Sequence, residues 1–316
     1  MNKGELQSVH GHPDRSIAKG RLLQLAGAIC IGAAITLFLI SSGVGVNLPW
    51  ALHLSISALS VLVGLAGMFL WLRGQRFAAP SGVDVLQDDG RPPVTYLRSF
   101  HKDQEFVLGA TSWLGIPTPT DEQLLAKLLE QVGPVVAIGK PGEDLPKLGA
   151  ARFYVGDEGW KDEILKLLER SKLVVLRAGD TDGFWWEFQR TLKQVAPQRL
   201  LVFLGPPVAE AHTGAARDEY LRFAVKANES LPVSLPLDID PPQLISFGEN
   251  WEPILLRVRL PSASKTLKAN YSAALAPYLK QYGLREEKAF SIKRVLVLLV
   301  ICVTAIAGIA LALMLL

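Results

Sequence analysis

The chain has 316 residues, of which 49% are hydrophobic and 20% are charged, and its formal net charge is +3. Its two cysteines exclude a disulfide framework, and its five histidines show no spacing typical of a metal site. The small positive charge lies partly beside apolar segments, so it does not indicate nucleic-acid binding.

Three apolar segments raise the mean hydropathy of the chain to +0.26. Residues 22–41, 50–72 and 295–316 contain no Asp, Glu, Lys or Arg. As a helix, each is long enough to cross a hydrocarbon core of about 30 Å. The sequence therefore predicts a transmembrane helical hairpin at 21–73 and a third transmembrane helix at 293–316.

Basic residues flank the apolar segments on one side only. The turn between the first two segments is uncharged, whereas positive charges precede the first, follow the second and precede the third. By the positive-inside rule, this pattern predicts a multi-pass membrane protein whose N-terminus and 73–294 segment are cytoplasmic. The flanking residues are Lys3, Arg15, Lys19 and Arg21, then Arg73 and Arg76, then Lys288, Lys293 and Arg294.

Two other segments show no pattern of a folded element. Residues 1–20 are polar and lack hydrophobic periodicity, which predicts a disordered cytoplasmic segment. Residues 74–93 are rich in Pro, Gly and Asp and are interpreted as a linker. The remaining soluble part, 94–285, has the size of a single domain.

Strands and helices alternate along this domain. Short apolar runs predict strands, and segments with one apolar stripe predict helices, the first of which opens with a Thr120–Gln123 capping box. The alternation predicts an α/β fold with a doubly wound, mostly parallel sheet. The predicted strands are Val94–Leu97, Pro134–Ile138, Leu173–Leu176 and Leu200–Leu204, with a fifth near Pro232–Leu237 or Leu244–Phe247. The predicted helices are 120–132, 160–168, 184–195, 215–227 and 264–282.

The strongest catalytic candidate is Glu187, which follows the third predicted strand. The loop Gly179–Gly183 ends that strand, and ligands of open α/β sheets bind at the carboxyl ends of strands. Beside two tryptophans, the Glu187 carboxylate is expected to be partly desolvated and so to have a useful pKa. The alternative is a carboxylate that only stabilises the positive end of its helix.

Other polar and aromatic residues are predicted around the same edge. Trp185 and Trp186 point about 100° apart on a helix, so one is expected in the core, and the other either packs there too or stacks on a ligand ring. Arg98 and Ser99 follow the first strand. Lys140, in the loop Gly139–Gly142, either approaches an anionic ligand or belongs to an ordinary connection.

Two stretches resemble a known family. VTYLRSFHKDQEFV, from Val94, resembles the opening box of TIR domains, and the stretch from Trp160 to Phe188 is similar to the TIR segment that carries the catalytic glutamate. GFWWE (Gly183–Glu187) also resembles the glycine-to-glutamate spacing of nucleoside deoxyribosyltransferases, a related Rossmann-like group. The chain departs from the TIR pattern in lacking the Ser-x-Trp-Cys segment and in having a long insertion after the first strand.

The resemblance implies a function for these residues. Glu187 would be the catalytic group in cleavage of the N-glycosidic bond of NAD or a related nucleotide, which would be a substrate or ligand rather than a cofactor. The protein would act as a stress or defence effector and would form homo-oligomers through this domain or its spans. The implied ligand-binding residues are Arg98, Ser99, Gly139, Lys140, Gly142, Asp180 and Trp186.

Two alternatives remain open from the sequence. The domain could instead be a non-catalytic module that senses a nucleotide or assembles with other proteins, as many TIR domains do. A third reading makes the spans the functional part and the soluble domain their sensor. However, the spans contain no charged residue that would serve an ion pathway.

Overall fold

The computed structural model describes residues 9–10, 15–41, 49–98, 120–138, 150–155, 160–205, 213–260 and 266–283. The predicted third transmembrane helix lies outside these residues, as do Ser99, Gly139, Lys140 and Gly142. The chain divides into two compact units, 1–260 and 261–316.

The described residues form eight α-helices and eight strands. The helices are α1 (Ile17–Ser41), α2 (Trp50–Phe77), α3 (Gly82–Asp88), α4 (Asp121–Leu129), α5 (Trp160–Arg170), α6 (Asp182–Gln194), α7 (Thr213–Asn228) and α8 (Leu267–Lys280). The strands are β1 (Val9–His10), β2 (Val94–Arg98), β3 (Val135–Ile138), β4 (Ala151–Val155), β5 (Leu173–Arg177), β6 (Leu200–Phe203), β7 (Leu244–Phe247) and β8 (Pro253–Leu256). A 3₁₀ turn, Pro197–Arg199, precedes β6.

Helices α1 and α2 form an antiparallel hairpin, and both are long and apolar enough to span a membrane. Small residues recur every seventh position along the buried face of each helix. At Gly27 an added Cβ would lie only 2.6 Å from the Gly67 carbonyl oxygen. The two backbones are therefore in direct contact, and the large apolar side chains point outward. The buried small residues are Gly20, Gly27, Ala34 and Ser41 in α1 and Ser60, Gly67 and Gly74 in α2.

The segments on either side of the hairpin are more ordered than the sequence predicted. Val9–His10 pairs with β4, and α1 begins at Ile17, so the prediction of disorder across 1–20 is wrong at these residues. The predicted linker at 74–93 contains the end of α2 and all of α3. Ser81 caps α3 by accepting a 3.1 Å hydrogen bond from the Asp84 amide. Helix α3 has only 7 residues and is too short to show an apolar period. The Pro- and Gly-rich composition of the segment therefore predicted a linker instead of a helix.

The strands form one mixed, mostly parallel sheet. Its order is β1-β4-β3-β2-β5-β6-β7-β8, with β4, β3, β2, β5 and β6 parallel and with β1, β7 and β8 antiparallel to their neighbours. The predicted mostly parallel sheet is confirmed, and Leu173–Leu176 is a central strand as expected. The fifth predicted strand is Leu244–Phe247, whereas Pro232–Leu237 is not a strand.

Besides β1, the strands β4 and β8 were not predicted, for identifiable reasons. In β4 the apolar run is broken by Arg152, which is nevertheless only 5% exposed. Strand β8 begins with Pro253 and alternates between partly buried and exposed positions at the edge of the sheet. Both lack the continuous apolar run by which buried parallel strands are recognised.

The main core lies between one face of the sheet and helices α5, α6 and α7. Inward side chains of β2, β5 and β6, such as Leu97, Leu176 and Val202, pack in the same cluster as Phe184 and Phe188 of α6. Alternation along β2 and β5 places Tyr96, Arg98 and Arg177 on the opposite face, where α4 supplies Glu122.

The second unit contains α8 among its described residues. Thr266 caps this helix by accepting a 3.3 Å hydrogen bond from the Ala269 amide, and Pro277 lies inside the helix. The predicted helix at 264–282 is thus present over Leu267–Lys280.

Candidate functional site

Glu187 is positioned by the turn between β5 and α6. After β5 the Ala178 amide donates a 2.8 Å hydrogen bond to the Phe203 carbonyl, which holds the turn against β6. Thr181 then caps α6, because its hydroxyl accepts a 3.2 Å hydrogen bond from the Phe184 amide. The helix begins at Asp182, so Glu187 lies in the second turn of the helix that follows the central strand.

The Glu187 carboxyl group is buried without a compensating charge among the described residues. Glu187 is 8% exposed, and its Oε2 has no hydrogen-bond partner there. Burial raises the pKa of Glu187 to about 8, because a low-dielectric site disfavours the charged form. At neutral pH the group is therefore mainly protonated.

The helix-dipole alternative does not account for this residue. The acid in the first turn of α6 is Asp182, and Glu187 lies one turn further along. The effect of the dipole falls off within the first turn and would lower a carboxyl pKa. Since the Glu187 pKa is raised instead, its burial dominates.

Trp185 belongs to the core, as one of the two tryptophans was predicted to do. Its ring packs against Phe184, Phe188 and Phe223 at centroid distances of 5.0, 5.7 and 5.9 Å. Its Nε1 donates a 3.3 Å hydrogen bond to Asp180 Oδ1. Asp180, predicted to bind a ligand, has a side chain that is 81% exposed and helps to orient Trp185.

Trp186 points to a different surface of α6. Its ring meets Trp160 edge-on at 5.3 Å, and the cationic groups of Lys161 and Arg190 lie 5.4 and 5.8 Å from its centroid. The predicted divergence of the two indoles is confirmed. Stacking of a ligand on Trp186 stays a prediction.

A second group of polar side chains lies at the carboxyl ends of β2 and β5. Arg98 and Arg177 are register partners at the ends of these parallel strands. Arg98 Nη1 donates a 3.2 Å hydrogen bond to Glu122 Oε2 of α4, and the Arg98 side chain is only 8% exposed. The Arg177 guanidinium lies 4.4 Å from the centroid of the Phe203 ring.

Tyr96 completes this group, which we call the strand-end cluster: Tyr96, Arg98, Glu122 and Arg177. Tyr96 is 4% exposed, and its buried hydroxyl interacts with Glu122, although at no described acceptor does it reach full hydrogen-bond geometry. Burial raises its pKa well above the ordinary value. The Glu122 charge adds to the rise, while the Arg177 and Arg98 charges oppose it. The four groups therefore share one electrostatic environment, with two positive charges and one negative.

The structure does not bring all the predicted site residues together. Arg98 belongs to the strand-end cluster, on the opposite sheet face from the core in which α6 packs. Tyr96, Glu122 and Arg177 were not singled out from the sequence. An available signal was that adjacent apolar strands each end in an arginine, because parallel strands bring their carboxyl ends to one edge.

Among the described residues, no group of three or more His, Cys, Asp or Glu side chains is arranged to hold a metal ion. No protein-family model matches the chain, and neither a curated protein nor a solved structure matches it.

Proposed function

We propose that the protein is a membrane-anchored, TIR-like domain that cleaves the N-glycosidic bond of NAD or a related nucleotide, with Glu187 as the catalytic carboxyl group. The observation that carries this proposal is the buried Glu187 in the helix that follows the central strand, with a carboxyl oxygen that has no hydrogen-bond partner among the described residues. A buried carboxyl without a structural partner is typical of a catalytic acid or base.

The strand order supports a Rossmann-like interpretation. Counted from β2 along the chain, the five parallel strands have the order 3-2-1-4-5, which is the start of the dinucleotide-binding arrangement. In that arrangement the connections reverse between strands 1 and 4, here β2 and β5, and ligands bind at that point. Arg98 and Arg177 end these two strands, and Glu187 lies in the helix that follows β5.

The reaction requires only one ionisable group. When the C1′–N bond of NAD breaks, both electrons leave with nicotinamide, which departs neutral, and positive charge develops on the ribosyl ring. A carboxylate beside that ring stabilises the charge until water adds at C1′ and loses a proton to solvent. A cationic ligand beside Glu187 would lower its pKa from about 8 and so favour the carboxylate.

The test is nicotinamide release by the full chain in detergent. We expect Glu187→Gln to lower kcat by about 10²–10³, the usual loss for one group that stabilises transition-state charge. The matched control is Glu163→Gln, which changes another buried carboxyl, one that accepts a 2.8 Å hydrogen bond from Lys166. This control should retain wild-type turnover. A Glu187→Gln protein that releases nicotinamide at the wild-type rate would exclude Glu187 from the mechanism.

The pH profile separates two roles of Glu187. If the carboxylate is the active form, kcat/KM should rise with pH and level off above about 8, the pKa of the free protein. If the protonated group is a general acid, the profile should fall over the same range.

The membrane arrangement extends the proposal. The hairpin α1–α2 and the segment 293–316 would cross the membrane, with the N-terminus and the α/β domain in the cytoplasm. The spans or the domain would mediate homo-oligomerisation of a stress or defence effector.

The second candidate function is nucleotide sensing without catalysis. The strand-end cluster favours it, because two arginines and a tyrosine can bind a ligand without bond cleavage. This alternative predicts ligand binding with no nicotinamide release by either the wild type or Glu187→Gln.

A further inference from the structure

We infer that the strand-end cluster is an oxyanion site in which Arg177 is the principal ligand residue and the bound group is a phosphate. The choice of a nucleotide as the natural source of that phosphate rests on the proposed function. The site itself depends only on the geometry of the cluster.

The first observation is the uneven pairing of the two arginines. Arg98 is paired with Glu122. In the part of the chain that the structure describes, Arg177 has no carboxylate partner, and its Nη1 is buried without a hydrogen bond. The Phe203 ring is 4.4 Å from the Arg177 guanidinium, but it satisfies none of the N–H donors. A buried N–H donor that lacks an acceptor is costly, and an anion bound at Arg177 Nη1 would supply that acceptor.

The second observation is a neutral donor beside the positive charge. The Tyr96 hydroxyl is buried and interacts with Glu122, but it meets no described acceptor at full hydrogen-bond geometry, and it is close enough to Arg177 for that charge to lower its pKa. A guanidinium provides planar, paired N–H donors, and a hydroxyl adds a donor in another direction. Tetrahedral phosphate accepts hydrogen bonds in several directions, so it suits this donor set better than a planar carboxylate does.

The third observation is the close approach of a glycine to Arg177. Gly205 follows β6, and a Cβ added there would have only Arg177 Nη1 within 4 Å among the described atoms, at 3.7 Å. Gly205 therefore lies directly beside the unpaired nitrogen of Arg177. A larger residue at this position should therefore block the anion without removing the charge.

The experiment measures ligand-dependent melting and calorimetric binding of the full chain in a phosphate-free maltoside detergent at constant ionic strength. Its ligands are inorganic phosphate, ADP, adenosine and acetate. We expect inorganic phosphate and ADP to raise the melting temperature of the wild type, and adenosine and acetate to leave it unchanged. A response to inorganic phosphate but not to ADP would support the anion site and overturn the nucleotide as its source.

Arg177→Met should bind phosphate at least about 30-fold more weakly, as expected when one partner of a buried charge pair is removed. Without ligand its melting temperature should equal or exceed that of the wild type, because an uncompensated charge is gone. The control Arg217→Met removes an exposed arginine paired with Asp238 and should keep the full phosphate response.

Gly205→Leu tests the site even if Arg177→Met does not fold. It should lose the phosphate response while keeping the wild-type far-UV spectrum. Equal phosphate affinity in the wild type and either variant would overturn the inference, as would a wild type that responds equally to acetate. Glu187→Gln should retain phosphate binding, so failure of the cleavage reaction and failure of the anion site give different results.

Discussion

The Glu187 carboxyl group makes the stability of this protein depend on pH. Its pKa is raised to about 8 by burial, whereas an exposed glutamate in the unfolded chain titrates near 4.3. Between these values the native state binds a proton that the unfolded state has released. Stability must therefore fall as pH rises through this window.

We expect the free energy of unfolding to fall by up to about 5 kcal/mol between pH 4.5 and 8, since each unit of pKa difference corresponds to about 1.4 kcal/mol. Glu187→Gln is neutral at every pH and should remove this part of the dependence. Urea unfolding of the full chain in detergent at several pH values measures it. Glu163→Gln is the control and should retain the fall. A wild type and a Glu187→Gln variant with the same pH dependence would show that Glu187 is not buried as described.

For single residues, the sequence predicted where a residue lies in the fold better than it predicted what surrounds the side chain. Glu187 was expected at the carboxyl end of a strand because a turn follows an apolar run. Its burial depends on how α6 packs, which residue type does not reveal. Arg177 was not singled out from the sequence, since its importance comes from the register that places it beside Arg98.

For helices and strands, sequence patterns predicted those features that depend on residues close together in the chain. The Thr120–Gln123 capping box is confirmed, with reciprocal hydrogen bonds of 3.3 and 3.0 Å. Continuous apolar runs identified β2, β3, β5 and β6. Strands β4 and β8 depend on pairing with neighbours, which a single segment does not encode, so their irregular runs gave no signal.

Two glycines of α1 test whether the packing of the hairpin depends on where a glycine lies and not only on the presence of glycine. Gly27 and Gly32 are both in α1, but an added Cβ at Gly27 would meet the α2 backbone at 2.6 and 2.8 Å, whereas Gly32 faces open space. Gly27→Leu should therefore separate the helices, at a cost of at least about 1–3 kcal/mol for overpacking. Gly32→Leu should be tolerated.

Disulfide formation between cysteines at Ser41 and Ser57 measures this separation, because the two hydroxyl oxygens are 2.8 Å apart. In a background with Cys30 and Cys302 replaced by alanine, this cysteine pair should cross-link rapidly with Gly32→Leu and slowly with Gly27→Leu. Equal rates would contradict the direct backbone contact.

At the scale of the whole molecule, the segment before α1 and the segment after α2 lie together near strand β4, toward the edge of the sheet. Arg15, which precedes α1, forms a 2.6 Å ion pair with Asp84 of α3 and donates a 2.8 Å hydrogen bond to the Ala79 carbonyl. Ser81 in turn forms an isolated parallel bridge with Arg152 of β4. If the hairpin crosses a membrane, the N-terminus and the α/β domain must therefore lie on the same side.

Which side that is follows from charge, and cysteine labelling of intact cells tests it. Basic residues lie at the Arg15 end of the hairpin and none at its tip, so the domain is expected in the cytoplasm. In the same background without native cysteines, Gly45→Cys at the tip should react with a membrane-impermeant maleimide. Gly90→Cys, an exposed position with open space around it, should react only after the cells are permeabilised. The reverse pattern would place the domain outside, and reaction of both in intact cells would contradict a membrane-spanning hairpin.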